Sequence, residues 1–200
     1  MIEKTQMLIR IVDDDEPFAD AICFLLLSKG LRAVVHASAE KFLEQDDPSV
    51  PGCLILDYQM PELNGIETQR KLLDKGWPVI FMTAHADVDM AITAFKQGAC
   101  DLLQKPVAPD VLIAAVETSL EKVRAGMRHH HDEVCGLFEG LTNRERQIVK
   151  LAAAGLANQQ IADRLGISER TVEAHRSAAY RRLNVKCLEE LQAFIRDMDD

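Results

Sequence analysis

The sequence predicts an α/β domain, a five-stranded parallel sheet covered by helices on both faces, followed by a smaller all-α domain of four helices. Three observations carry that prediction. Over residues 1–122, short apolar runs alternate with stretches of helical periodicity, five times in succession. The runs are nearly continuously apolar, as strands buried on both faces must be. Beyond residue 140 strand-like runs stop, and every remaining stretch reads as helix.

In chain order, "MLIRIV" (7–12) is a buried strand, and Pro17 sits in the first turn of a helix that stops near Gly30. "LRAVV" (31–35) is the second strand, and Ser38 caps a short helix after it. "CLILD" (53–57) is the third. The turn "MPELNG" (60–65) leads into a helix through about Lys75. "WPVIFMT" (77–83) is the fourth strand, Asp87 caps a helix ending at Gly98, and "CDLLQ" (100–104) is the fifth. A last helix starts near Asp110, after Pro106 and Pro109. Helical character can persist to Glu133, with Gly136 and Gly140 breaking it, so 1–122 is expected as one domain, 123–140 as a partly helical linker and 141–200 as a second domain. In that second domain Thr142 and Glu145 form a T-x-x-E capping box, and Gly155 and Gly166 stand where helix C-caps belong.

Composition narrows the function. Residues 1–122 carry 11 basic and 20 acidic side chains, whereas 141–186 carry 9 basic and 4 acidic. An acidic front and a basic block behind it suggest two tasks, the second on a polyanion. The longest apolar run, Ala21 to Leu27, falls far short of the ~20 residues that span a bilayer, and no secretory signal opens the chain. Five scattered cysteines without a C-x-x-C are reduced-thiol usage. A cytoplasmic protein without a membrane partner is expected.

In parallel sheets of this kind the functional crevice lies at the carboxyl ends of the strands. There the first strand delivers Asp13 and Asp14, the third Asp57, the fourth Thr83 and the fifth Lys105. Carboxylates gathered this closely repel one another unless a cation joins them. An all-oxygen site of this charge suits Mg²⁺. A carboxylate beside such a cation can attack phosphorus, while Lys105 and the Thr83 hydroxyl meet phosphoryl oxygens. No GxxxxGK[ST] loop or Gly-rich dinucleotide fingerprint is present.

"IVDDDEP", "LILDYQMPELNGIE", "VIFMTAHAD" and "GACDLLQKPV" together resemble the receiver domain of two-component response regulators, a flavodoxin-like fold. The resemblance implies that Asp57 is the phosphoacceptor. It implies that Asp14, Asp57 and the Gln59 backbone carbonyl bind Mg²⁺ directly and Asp13 through water, and that Lys105–Pro106 is a cis peptide. Receivers usually carry an aromatic switch residue three positions before the lysine. Here that position is Leu102, which with Thr83 would form the switch with less surface at stake. Asp15 is left as a bystander or a helix-start charge.

Residues 158–177 fit a helix-turn-helix frame, with Ala162 at the small-residue position, Gly166 in the turn, Val172 in the core and Ser168 as N-cap. The stretch from Leu141 to Val185 is similar to the LuxR-type DNA-binding domain, and the whole chain resembles the NarL/FixJ class of response regulators. That likeness implies base-facing Glu173, Ala174 and Ser177. Phosphate contacts would come from Thr171, Arg176, Arg181 and Gln159 or Gln160.

The expected function is a DNA-binding transcription regulator, not an enzyme, phosphorylated on Asp57 by a histidine kinase. It would form a homodimer on phosphorylation to engage double-stranded DNA. An aspartyl phosphatase would want a second carboxylate where Gln59 stands, and a constitutive DNA-binding protein would use the front domain only as a scaffold. "RHHHDEVC" (128–135) reads as a solvated linker, because three successive histidines on a helix point about 100° apart.

Overall fold

A computed structural model describes residues 6–72 and 76–199. The chain divides into two compact units, Met1–Gly126 and Met127–Asp200. The first contains β1 (Leu8–Val12), α1 (Glu16–Ser28), β2 (Arg32–His36), α2 (Ala39–Gln45), β3 (Gly52–Asp57), α3 (Gly65–Lys71), β4 (Val79–Thr83), α4 (Val88–Lys96), β5 (Asp101–Gln104) and α5 (Pro109–Glu139) as far as Gly126. The five strands pair in parallel in the order β2-β1-β3-β4-β5. The period of two sorts their side chains. Ile9, Ile11, Cys53, Ile55, Ile80 and Met82 face α1 and α5; Val12, Leu54, Leu56, Val79 and Phe81 face α2, α3 and α4. Both faces are thus covered, which is why the runs read as continuous apolar sequence.

The expected helix starts have their caps. Asp15 is the N-cap of α1, its carboxylate accepting the Phe18 N–H, which settles it as a helix-start residue. Ser38 caps α2 and Asp87 caps α4. Asn64 caps α3 in a reciprocal box with Glu67. The expected continuation of α3 to Lys75 lies outside the described residues. Gly65 is required where it stands, because a Cβ there would lie 2.4 Å from the Asp57 carbonyl oxygen and 2.9 Å from the Phe81 ring.

Two features differ from expectation. β4 begins at Val79 rather than Trp77, and the freed indole lies 4.1 Å from the Arg10 guanidinium. Arg10 is fully buried in β1. Its guanidinium donates to the Asp46 carboxylate at 2.7 Å and to the carbonyls of Leu8, Asp47 and Val50, which ties the α2–β3 connection to the sheet. A buried charge is tolerable only when paired and hydrogen-bonded in this way.

The second difference is α5, which runs through Gly136 without a break. A mid-helix glycine costs about 1 kcal/mol. Val134 and Phe138 on either side bury into the core of the second unit and outweigh it. The chain turns only at Gly140.

The second unit adds α6 (Asn143–Ala153), α7 (Asn158–Leu165), α8 (Glu169–Leu183) and α9 (Leu188–Asp199) around a core that includes Ile148, Ile161, Val172, Leu183 and Leu191. The Thr142–Glu145 capping box is formed. The Glu145 carboxylate, almost fully buried, also accepts from Arg182 of α8 at 2.8 Å. Gly166 holds the α7–α8 turn at φ +65°. No helix among the described residues is long and apolar enough to cross a membrane.

Candidate functional site

The strand order places the functional crevice. β1 connects to β2 on one side and, by crossing over, β3 leads to β4 and β5 on the other, so the connections leave in opposite directions between β1 and β3. The carboxyl ends of those two strands hold the acidic residues. Asp13 directly follows β1, Asp57 ends β3, Thr83 ends β4 and Lys105 directly follows β5.

Asp13 and Asp57 are buried and Asp14 is exposed. One carboxylate oxygen from each lies within 4.8 Å of the other two. Lys105 Nζ is 2.6 Å from Asp13 Oδ2 and 3.5 Å from Asp57 Oδ1, so one ammonium bridges two carboxylates. The Phe18 ring, which sequence reasoning did not single out, lies 4.5 Å from the same Nζ. Asp13 is oriented from two sides: its Oδ1 accepts the Asp15 N–H, and its own N–H donates to the His36 carbonyl.

Burial pushes the Asp57 carboxyl up to about 6. Lys105 and the Gln59 backbone N–H oppose the rise, and the Asp13 and Asp14 charges add to it. The protein groups alone leave net negative charge uncompensated at Asp57, so a divalent cation bound by these oxygens fits the donor set. Gln59 presents its backbone N–H to Asp57. Thr83 is fully buried, and its hydroxyl donates to the His85 carbonyl at 3.2 Å rather than to a carboxylate. Lys105–Pro106 is cis. Leu102 is half-buried against the core on the α2–α3–α4 face.

The second candidate surface is α8. Val172, Ala179 and Leu183 bury one side. Glu173, Ala174, Ser177 and Arg181 are exposed and, at i, i+1, i+4 and i+8, share the opposite side. Arg170, exposed and three residues before Glu173, falls on the same stripe, and sequence reasoning missed it. The helical spacing alone could have found it.

Other expected contacts have intramolecular partners. Arg176 is half-buried, with Nη1 donating to Asn158 Oδ1 at 2.9 Å and Nε and Nη2 donating to Tyr180 Oη. The Thr171 hydroxyl is 2.7 Å from that of Ser168. Gln160 accepts the Ala157 N–H, supplying half a capping box that alanine itself cannot complete, and Gln159 donates to Asp163. The exposed stripe and these engaged side chains thus form different parts of the surface.

Comparison with known proteins follows the same division. The family profile for the response regulator receiver domain matches residues 9–117, and that for bacterial regulatory proteins of the luxR family matches 139–194. Transcriptional regulatory protein FixJ of Azorhizobium caulinodans is 39% identical over 187 residues, which is 92% of this chain and 89% of that protein. Response regulator protein TmoT of Ectopseudomonas mendocina is 37% identical, covering 93% of this chain and 86% of its own. Among solved structures, response regulator StyR is similar with TM-score 0.61 and 38% identity, over 96% of this chain and 98% of that one. Full-length FixJ from B. japonicum follows at 0.56 and 32%, over 97% and 98%. Two matched domains in this order, in relatives alike over nearly their whole length, place the chain in the NarL/FixJ class of two-component response regulators, transcription regulators controlled by phosphorylation rather than enzymes.

Proposed function

We propose that Asp57 is the phosphoacceptor, that Asp13, Asp14, Asp57 and the Gln59 backbone carbonyl hold Mg²⁺, and that phosphorylation switches the DNA-binding unit into a dimeric, operator-binding form. The carrying observation is the convergence of three carboxylates within 4.8 Å around one of them that Lys105 reaches at 3.5 Å. The receiver domain implies a phosphodonor kinase and the luxR-family domain implies DNA. A histidine kinase supplies the phosphoryl group. An Asp57 carboxylate oxygen forms the new P–O bond as the P–N bond to the donor imidazole breaks, and the imidazole leaves with a proton from solvent. Mg²⁺, when bound, offsets charge on the transferring group.

Lys105 then exchanges its Asp57 contact for a phosphoryl oxygen. The Thr83 hydroxyl, now turned to His85, rotates toward the phosphoryl group and leaves a space that Leu102 can fill. Residues 1–122 act as receiver, 123–140 as helical linker and 141–200 as the DNA-binding domain. Glu173, Ala174 and Ser177 read bases, and Arg181 meets phosphate. Arg176, Thr171, Gln159 and Gln160 reach DNA only by giving up the partners described above. The regulator works in the cytoplasm with no membrane partner.

Two measurements test this reading. A small-molecule phosphodonor with Mg²⁺ adds one phosphoryl group to the intact chain and none to Asp57→Asn. Sedimentation with beryllofluoride and Mg²⁺ converts monomer to dimer in the wild type only. Modification of Asp57→Asn to the same extent, or unchanged sedimentation despite bound beryllofluoride, overturns the phosphoacceptor or the switch respectively.

A further inference from the structure

The histidine run of α5 does not converge, but the helix brings one of its members to a cysteine four residues on. His131 Nε2 lies 3.5 Å from Cys135 Sγ. The other ring nitrogen, Nδ1, lies 3.2 Å from the backbone carbonyl oxygen of Asp197 on α9. A carbonyl can only accept, so Nδ1 carries the proton and the Nε2 lone pair faces the sulfur. Fixing one imidazole nitrogen on a carbonyl so that the other offers its lone pair is the arrangement that orients metal-binding histidines. The spacing also fits. Bonds of about 2.0 Å to nitrogen and 2.3 Å to sulfur, at a tetrahedral angle, set the two donors about 3.5 Å apart. Both side chains are half-buried, within reach of solvent.

The donor types select the ion. Imidazole and thiolate suit zinc and its neighbours, whereas Mg²⁺ keeps to oxygen. Each chain supplies only two donors here. The sole group of three or more convergent ligands among the described residues is the acidic pocket, and a structural zinc site takes four. The neighbouring His130 ring is turned to the Asp197 carboxylate, 3.4 Å from its Nε2.

We propose that His131 and Cys135 form half of a zinc site, completed by the same pair from a second copy of this chain. A two-fold axis makes such a contact self-complementary and gives a tetrahedral Cys₂His₂ site. On binding, each thiol releases its proton to solvent and no redox step is involved. The site pairs two DNA-binding units without calling on Asp57.

The test uses the full-length reduced chain, unphosphorylated, with excess Mg²⁺ occupying the acidic pocket. Zn²⁺ should turn monomer into dimer with one zinc per two chains, reversed by chelator. Co²⁺ in its place should give thiolate charge-transfer absorption and the intense visible bands of tetrahedral cobalt. His131→Ala and Cys135→Ser should each lower zinc affinity at least tenfold and abolish the dimer. C135H should keep the zinc dimer but lose the thiolate band, which separates lost ligation from a damaged fold. Asp57→Asn should bind zinc as the wild type does, so this proposal and the phosphorylation reading fail separately. A stoichiometry of one zinc per chain, a cobalt spectrum without thiolate absorption, or unchanged zinc dimerisation in Cys135→Ser overturns it.

Discussion

Replacing Asp57 by asparagine should stabilise the metal-free receiver, by an amount that depends on pH in a calculable way. Burial raises the Asp57 carboxyl from 3.8 to about 6, against the pull of Lys105. A group whose pKa is raised on folding favours the native state while protonated, and that contribution is lost as pH climbs through the raised value. Below about pH 3 both folded and unfolded chains are protonated at this position, and the charge costs nothing. Between about pH 4 and 6 the unfolded chain ionises freely and the folded one resists. Above about pH 7 the penalty is complete. At about 1.4 kcal/mol per tenfold change in acidity, the interval corresponds to about 3 kcal/mol. Asp57→Asn carries no such charge, so its stability relative to wild type should rise by about 3 kcal/mol between pH 3 and pH 7. The chain has a single tryptophan, Trp77, and it lies in the receiver. Urea unfolding in chelator, followed by its fluorescence at a series of pH values, therefore reports this domain. Adding Mg²⁺ should close the gap by stabilising the wild type, by about 2.7 kcal/mol at one hundred times its dissociation constant. A difference between the two proteins that stays flat from pH 4 to 8, or falls with pH, would refute the claim that burial governs Asp57.

Other consequences can be checked with equal directness. Gly65→Ala drives a methyl group into the Asp57 carbonyl; it should cost roughly 1–3 kcal/mol of receiver stability, read by the same fluorescence, and slow phosphorylation by a small-molecule donor. Burial pushes the Glu145 carboxyl up, but the Thr142 N–H and hydroxyl and then Arg182 outweigh it and hold it below its ordinary value. Its contribution is therefore present at neutral pH and lost as pH falls through that lowered value. Glu145→Ala should cost about 1–2 kcal/mol at pH 7, measured by thermal unfolding of the 127–200 unit's helices within the full chain, and less in acid. Arg181→Ala should weaken operator and random DNA alike and reduce the salt slope by about one, whereas Glu173→Ala should raise random-sequence affinity and lower discrimination, by about 1–3 kcal/mol at one base pair, in fluorescence anisotropy titrations.

Much of this molecule could be read before its structure, for a physical reason that also marks the limit. Strands buried on both faces announce themselves as apolar runs, and caps such as Ser38, Asp87 and Thr142 act within three residues of themselves. The pocket was legible because the sheet delivers the carboxyl ends of its strands to one edge, so Asp13, Asp57, Thr83 and Lys105 needed only a strand order to meet. The Asn64–Glu67 box was equally local, and its N-x-x-E signal was simply passed over. What stayed hidden was set by distant partners. Arg10 looks like an interruption of a strand until Asp46, Asp47, Val50 and Trp77, all more than thirty residues away, close around it. Gly136 looks like a helix break until Val134 and Phe138 find a core.

The same distinction governs the DNA-facing surface and decides which of its residues are open to argument from a motif. A motif assigns a side chain by position, but a side chain acts through whichever partner it has. Arg176 stands at a position that the resemblance gives to phosphate, yet all three donors named above serve Asn158 and Tyr180, and its guanidinium lies 5.1 Å from the Tyr180 ring centroid. In this arrangement it braces α7 against α8, which fixes the angle at which the exposed stripe from Arg170 to Arg181 is presented. Bracing and phosphate contact differ in their consequences. A brace, once removed, changes base discrimination along with affinity, because the stripe itself shifts. A phosphate contact, once removed, weakens every sequence equally and leaves discrimination intact. Asn158→Ala removes the acceptor on α7 while keeping the arginine charge, so it disturbs the brace alone. If it leaves operator discrimination unchanged, position in the motif was the better guide; if discrimination falls, the intramolecular partners were.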